Sequence, residues 1–139
     1  MFVIDASVAL AWCFDGEATP YSSSVLDRLR HIPAVAPGVW PLEIANAVLM
    51  GERRQRLTEG QATRALLLLE RLPITVDVAS IDVAWGATLA LARAQALTVY
   101  DASYLDLAIR RRLPLATQDA RLRDAAARVG VDLIQATDD

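Results

Sequence analysis

Apolar and polar positions along the chain fall into short blocks of two kinds, and the blocks alternate. Phe2-Val3-Ile4 is a brief, partly β-branched apolar run, as a strand buried on both faces requires. It stops at a carboxylate, Asp5, and Ser7 opens a helical stretch over 7–14 that Asp15-Gly16 breaks. A second helix is expected over 20–31. Pro33-Ala34-Val35-Ala36-Pro37 then reads as a very short strand bracketed by prolines. Residues 40–56 carry an apolar stripe through Leu42, Ala45, Leu49, Ile44 and Val48 at helical spacing. Thr58-Glu59-Gly60-Gln61 is a turn that starts a helix over 59–72, apolar on most sides, which must be buried against something, a second chain included. Residues 73–78 give a third strand, Ser80 caps a helix over 80–96, and Thr98 to Tyr100 connect to a helix that Asp101 opens and Arg112 ends. Leu113 to Thr117 is a fourth strand, 119–128 a helix closed by Gly130, Val131 to Ile134 a last strand, and Gln135 to Asp139 a polar tail. Strands alternating with helices through short connections predict an α/β sandwich around a parallel sheet of four or five strands.

Composition narrows the class. A chain of 139 residues suits a single domain, 1–139, with a sizeable core. With 54% hydrophobic and 22% charged residues it is globular in character. No apolar run is long enough to cross a bilayer. Asp5 interrupts the apolar N-terminus and no basic region precedes it, so a cytoplasmic protein is expected. Cys13 and His31 are the only residues of their types. That excludes an internal disulfide and makes a histidine metal cage or a Ser-His triad hard to build. The net charge of −3 does not suit a protein held to nucleic acid by bulk charge. All 14 basic residues are nevertheless Arg, whose planar fork matches phosphate. The clusters Arg53-Arg54-Gln55-Arg56 and Arg110-Arg111-Arg112 have two readings, phosphate contacts or cations at helix C-termini.

Candidate chemistry lies in four carboxylates. Asp5 ends the first strand, Glu43 sits in the first turns of a helix, Asp101 begins another, and Asp119 follows the fourth strand. In a parallel α/β fold, strand carboxyl ends and the N-termini of the following helices share one edge of the sheet. Each acid also has a plainer reading. Asp101 and Asp119 stand where helix caps belong, and Glu43 suits a solvated first turn. Asp5 is the hardest to dismiss, because a carboxylate against a buried strand needs a partner. If the four converge, an all-oxygen site favours Mg²⁺ or Mn²⁺ and phosphoryl-transfer chemistry. Ser7, Asn46 and Thr117 are placed to position water or carboxylates, or simply to cap and turn the chain.

Four segments carry a family resemblance: Val3-Ile4-Asp5-Ala6-Ser7-Val8, Leu42-Glu43-Ile44-Ala45-Asn46-Ala47, Tyr100 to Ala108, and Ala116-Thr117-Gln118-Asp119-Ala120-Arg121-Leu122. In their order and separation they resemble the PIN-domain ribonucleases, specifically the VapC-type toxins of bacterial type II toxin–antitoxin modules. The resemblance implies a three-layer α/β/α sandwich and a Mg²⁺-dependent endoribonuclease, with Mn²⁺ as a substitute. It implies an acidic quartet of Asp5, Glu43, Asp101 and Asp119, with Asp5 and Asp101 as direct metal ligands. It also implies a homodimer, an RNA substrate and a cognate antitoxin. Asp106 turns away from Asp101 on the helix and reads as a structural or surface acid.

Two other classes compete. A binding module that pairs with an antitoxin-like partner would use the same acids as caps, and would leave RNA intact in the presence of Mg²⁺ or Mn²⁺. A receiver-type or phosphatase-like domain also gathers Asp at strand ends, but it needs a Lys, and this chain has none.

Overall fold

A computed structural model describes residues 1–137; the last two residues of the expected polar tail, Asp138 and Asp139, lie outside the described residues. Four strands form one parallel sheet among the described residues: β1 (Phe2–Ile4), β2 (Ala34–Pro37), β3 (Ile74–Asp77) and β4 (Leu115–Ala116), in the order β3-β2-β1-β4. Between them run α1 (Ala6–Ala11), α2 (Pro20–Arg28), α3 (Trp40–Arg53), α4 (Glu59–Glu70), α5 (Ile81–Val83), α6 (Leu89–Gln95) and α7 (Val99–Arg111), with α8 (Ala120–Val129) after β4. Right-handed crossovers put the helices of the β1-β2-β3 run on one face and those of the return to β4 on the other. The result is a three-layer α/β/α sandwich. The strand order reverses between β1 and β4, and a ligand crevice is expected outside the carboxyl ends at such a reversal.

The first strand behaves as its composition requires: Phe2, Val3 and Ile4 are all buried. Around them pack Val8, Val35, Tyr104, Leu105, Leu107, Leu115 and Leu122, all fully buried. Each such aliphatic or aromatic side chain contributes about 1.5–3 kcal/mol on leaving water. Cys13 is buried as a small hydrophobe, its Sγ 3.5 Å from the Ala9 carbonyl. No helix of the described residues is long and apolar enough to cross a membrane.

Several expected elements differ. The last strand reduces to a single parallel bridge, Leu115 with Leu133, because β4 is only two residues long and only Leu115 of it turns its N–H and carbonyl to that side, to the Asp132 carbonyl at 2.9 Å and the Ile134 N–H at 2.8 Å. The helix expected over 80–96 is broken into α5, a π-helical turn at Ala84–Thr88 and α6. Asp101 does not open α7: Thr98 caps it, accepting from the Asp101 N–H at 3.1 Å, and Asp101 lies in the first turn. The leucine-rich α4 buries only Ala62 and Leu69, and leaves Leu67 and Leu68 exposed. Gly130 closes α8 in the left-handed conformation (φ +77°), as expected of a C-cap glycine.

Candidate active site

Asp5 is the anchor. It leaves β1 at the sheet's reversal point, where its N–H bonds the Ala116 carbonyl of β4 at 3.0 Å, and its side chain is only 5% exposed. Two hydroxyls converge on one of its oxygens, Ser7 Oγ and Thr117 Oγ1, each donating to Oδ2 at 2.7 Å. No side chain of the described residues donates to Oδ1. Burial pushes the Asp5 carboxyl above its ordinary range, the two hydroxyls pull the other way, and the charge of Asp101 pushes it further up.

The other three acids reach the same edge from helix N-termini. Glu43 lies in the first turn of α3 and is half-buried; Tyr104 of α7 donates its hydroxyl to Oε1 at 2.7 Å. Burial raises the Glu43 carboxyl, and the charges of Asp5 and Asp101 add to it, while the Tyr104 hydroxyl opposes. Burial also raises Asp101, with Asp119 as the next cause and Thr98 and Arg121 opposing. Asp119 caps α8, accepting from the Leu122 N–H at 3.0 Å. Its own N–H donates to Thr117 Oγ1 at 3.0 Å, so one buried hydroxyl ties Asp119 to Asp5. All four acids therefore share one edge and act on one another electrostatically. The capping reading of Asp119 is also satisfied, and the two roles coexist in one side chain.

Ser7 and Thr117 stand against Asp5 directly. Asn46 is exposed on α3 and makes no hydrogen bond to a carboxylate among the described residues. Sequence reasoning missed three partners. Tyr104 is fully buried and holds Glu43; its place three residues after Asp101, on one helix face, was the available signal. Gln118 receives Thr19 Oγ1 on Oε1 at 2.7 Å, and donates to Ser7 Oγ from its backbone at 3.0 Å, locking α2 and α1 beside the site. Arg121 is the cation whose charge reaches Asp101. Neither arginine cluster does so. Arg110 pairs with Asp106 at 2.7 Å and Arg111 with Asp77 at 3.5 Å, about 13–15 Å along α7 from Asp101, and Arg56, beyond the end of α3, pairs with Glu17.

Among the described residues, no three carboxylates stand close enough together to enclose a metal ion between them. The donor set is nonetheless all oxygen, and three of its carboxyls are raised by burial and mutual repulsion, with Arg121 opposing at Asp101 alone. That fits a hard divalent ion that keeps several waters and takes one or two carboxylates, as Mg²⁺ does, rather than an all-protein cage.

The chain matches the family model described as PIN domain over residues 2–128. It is 35% identical over 127 residues to Ribonuclease VapC9 of Mycobacterium tuberculosis, covering 89% of this chain and 90% of that protein. Among solved structures, a protein from Pyrobaculum aerophilum superposes with a TM-score of 0.69 at 25% identity, covering 89% of this chain and 78% of that one. A toxin–antitoxin complex from Klebsiella pneumoniae shares the fold at a TM-score of 0.67 and 18% identity, over 100% of both chains. Fold and sequence agree: the chain belongs to the PIN-domain family, among the VapC ribonucleases.

Proposed function

We propose that this protein is the toxin of a type II toxin–antitoxin module, an endoribonuclease that hydrolyses RNA phosphodiester bonds at Asp5, Glu43, Asp101 and Asp119. The observation that carries this reading is the set of buried, mutually repelling carboxylates at the β1–β4 reversal, where no cation of the protein acts on Asp5 or Glu43 and only Arg121 acts on Asp101. Asp5 and Asp101 would hold Mg²⁺, or Mn²⁺ in its place, with Glu43 and Asp119 completing the site directly or through water. A bound divalent ion supplies charge neutralisation at the phosphate and a water acidified enough to attack it. The protein's own contribution is orientation. Ser7 and Thr117 fix the Asp5 carboxylate through Oδ2, which leaves Oδ1 for the ion. Tyr104 fixes Glu43 and favours its ionised form, which can accept a proton from water.

In this reading the protein acts in the cytoplasm, forms a homodimer and is silenced by a cognate antitoxin. The toxin–antitoxin likeness of fold and the exposed Leu42, Leu67, Leu68 and Trp85 support a protein partner. The test is incubation of purified protein with total RNA, followed by mapping of cleavage ends. Cleavage with Mg²⁺ or Mn²⁺ that stops on chelation is expected. RNA left intact with either ion favours the catalytically silent binding module instead.

A further inference from the structure

A cavity beside the site carries positive charge that the carboxylate chemistry does not use. It measures about 350 Å³ and is lined by Gln95, Ala96, Leu97, Arg121, Asp124 and Arg128. Two links join it to the carboxylates. Leu97 precedes Thr98, whose hydroxyl caps α7 at the Asp101 N–H. Arg121 follows Asp119 by two residues, and its charge acts on Asp101.

Arg121, Asp124 and Arg128 are spaced to share one face of α8, so Arg128 lies about 10 Å further along the axis from the carboxylates. Arg128 donates through Nε to Gln95 Oε1 at 2.7 Å, which orients its guanidinium and leaves the terminal N–H groups available. Among the described residues, neither Arg121 nor Arg128 has a carboxylate within salt-bridge distance, whereas Arg56, Arg110 and Arg111 each do. Asp124 offsets one of the two charges, so the lining keeps a net charge of one positive unit.

We propose that this cavity is a subsite for the RNA backbone next to the scissile bond, with Arg121 and Arg128 positioning its phosphates. The proposal rests on the ribonuclease reading and extends it. A guanidinium fork matches a phosphate and reads no sequence, so the subsite holds register rather than choosing bases. It also answers a physical difficulty: an acidic protein with an acidic site repels a polyanion, and local cations must bring the strand in.

The test is fluorescence anisotropy of a labelled single-stranded uridine oligomer on full-length protein carrying Asp5→Asn, so that the RNA survives. Salt is varied from about 50 to about 200 mM. Adding Arg121→Gln or Arg128→Gln is expected to flatten the slope of log affinity against log salt by about 0.7 each, and the pair to weaken binding roughly tenfold at the low-salt end. Arg128→Lys, which keeps the charge, is expected to keep the slope. Equal slopes in parent and double variant, or no measurable binding by the parent, overturn the proposal, whatever the substitutions do to a protein partner. The ribonuclease reading fails separately, if protein with Asp5 intact cuts no RNA in Mg²⁺.

Discussion

Asp5 and Asp106 are buried to nearly the same depth, at 5% and 4% exposure, yet the chain treats them differently. Asp106, on α7, has Arg110 one helical turn later, with Nε 2.7 Å from Oδ2. Asp5 has two hydroxyls and no cation, and its nearest charged influence is another acid, Asp101. A buried carboxylate is costly unless it is paired or hydrogen-bonded. At Asp106 the chain supplies the opposite charge itself, and the group is structural. At Asp5 hydroxyls reduce the cost without neutralising the charge, which leaves that to something from outside. Depth of burial does not separate a structural acid from a site acid; the identity of its partner does.

Removing each charge in turn tests this contrast most directly. Asp5→Asn is expected to lower RNA cleavage by roughly a thousandfold or more, with an unchanged circular dichroism spectrum. Asp106→Asn is expected to leave the cleavage rate within severalfold of wild type. It should instead cost about 1–2 kcal/mol, read from the urea midpoint, because the remaining Arg110 is partly solvated. Loss of activity in Asp106→Asn, with Asp5→Asn still active, would reverse the assignment.

The next effect is smaller and tests the hydroxyl side of the comparison. Tyr104→Phe removes the donor on Glu43 and keeps the ring in the core. Cleavage is expected to fall about 10–100-fold, as when a group orienting a ligand is lost. The hydroxyl opposes the rise of the Glu43 carboxyl, so without it the acidic limb of the pH–rate profile should move to higher pH. An unmoved limb with a lowered melting temperature would make Tyr104 a packing residue only.

Much of this was legible in the sequence for a local reason. Phe2-Val3-Ile4 is apolar enough to fix β1, and a strand that stops at Asp5 places that acid at the sheet edge. Thr98 and Asp101 are both capping residue types, so the start of α7 could not be told from sequence, and the 3.1 Å bond to Thr98 decided it. Leu-rich α4 reads as buried, yet sidedness depends on what the sheet offers, and Leu67 and Leu68 face outward. The partners Tyr104–Glu43 and Thr117–Asp5 lie 61 and 112 residues apart, where no periodicity reports a contact. The arginine clusters drew notice as runs, but Arg110 and Arg111 serve Asp106 and Asp77. The cation near the site, Arg121, belongs to neither run.

The smallest expected effect is that of Asp5→Asn on stability without metal, and its sign follows from the raised carboxyls. In metal-free protein, Asp5, Glu43 and Asp101 hold protons more tightly when folded than when unfolded. Their contribution is most favourable below the unfolded carboxylate range, near pH 4, and is lost as pH rises through the folded values. At neutral pH without metal, Asp5→Asn should therefore melt a few degrees above wild type, and the gap should close on acidification. Mg²⁺ should raise the wild-type melting temperature, by about 2.7 kcal/mol of stability at a hundredfold excess over its dissociation constant. Asp106→Asn should respond to Mg²⁺ in the same way, and Asp5→Asn should not. Equal melting of wild type and Asp5→Asn in chelator at neutral pH would mean that the Asp5 charge is already compensated within the chain, and the contrast with Asp106 would dissolve.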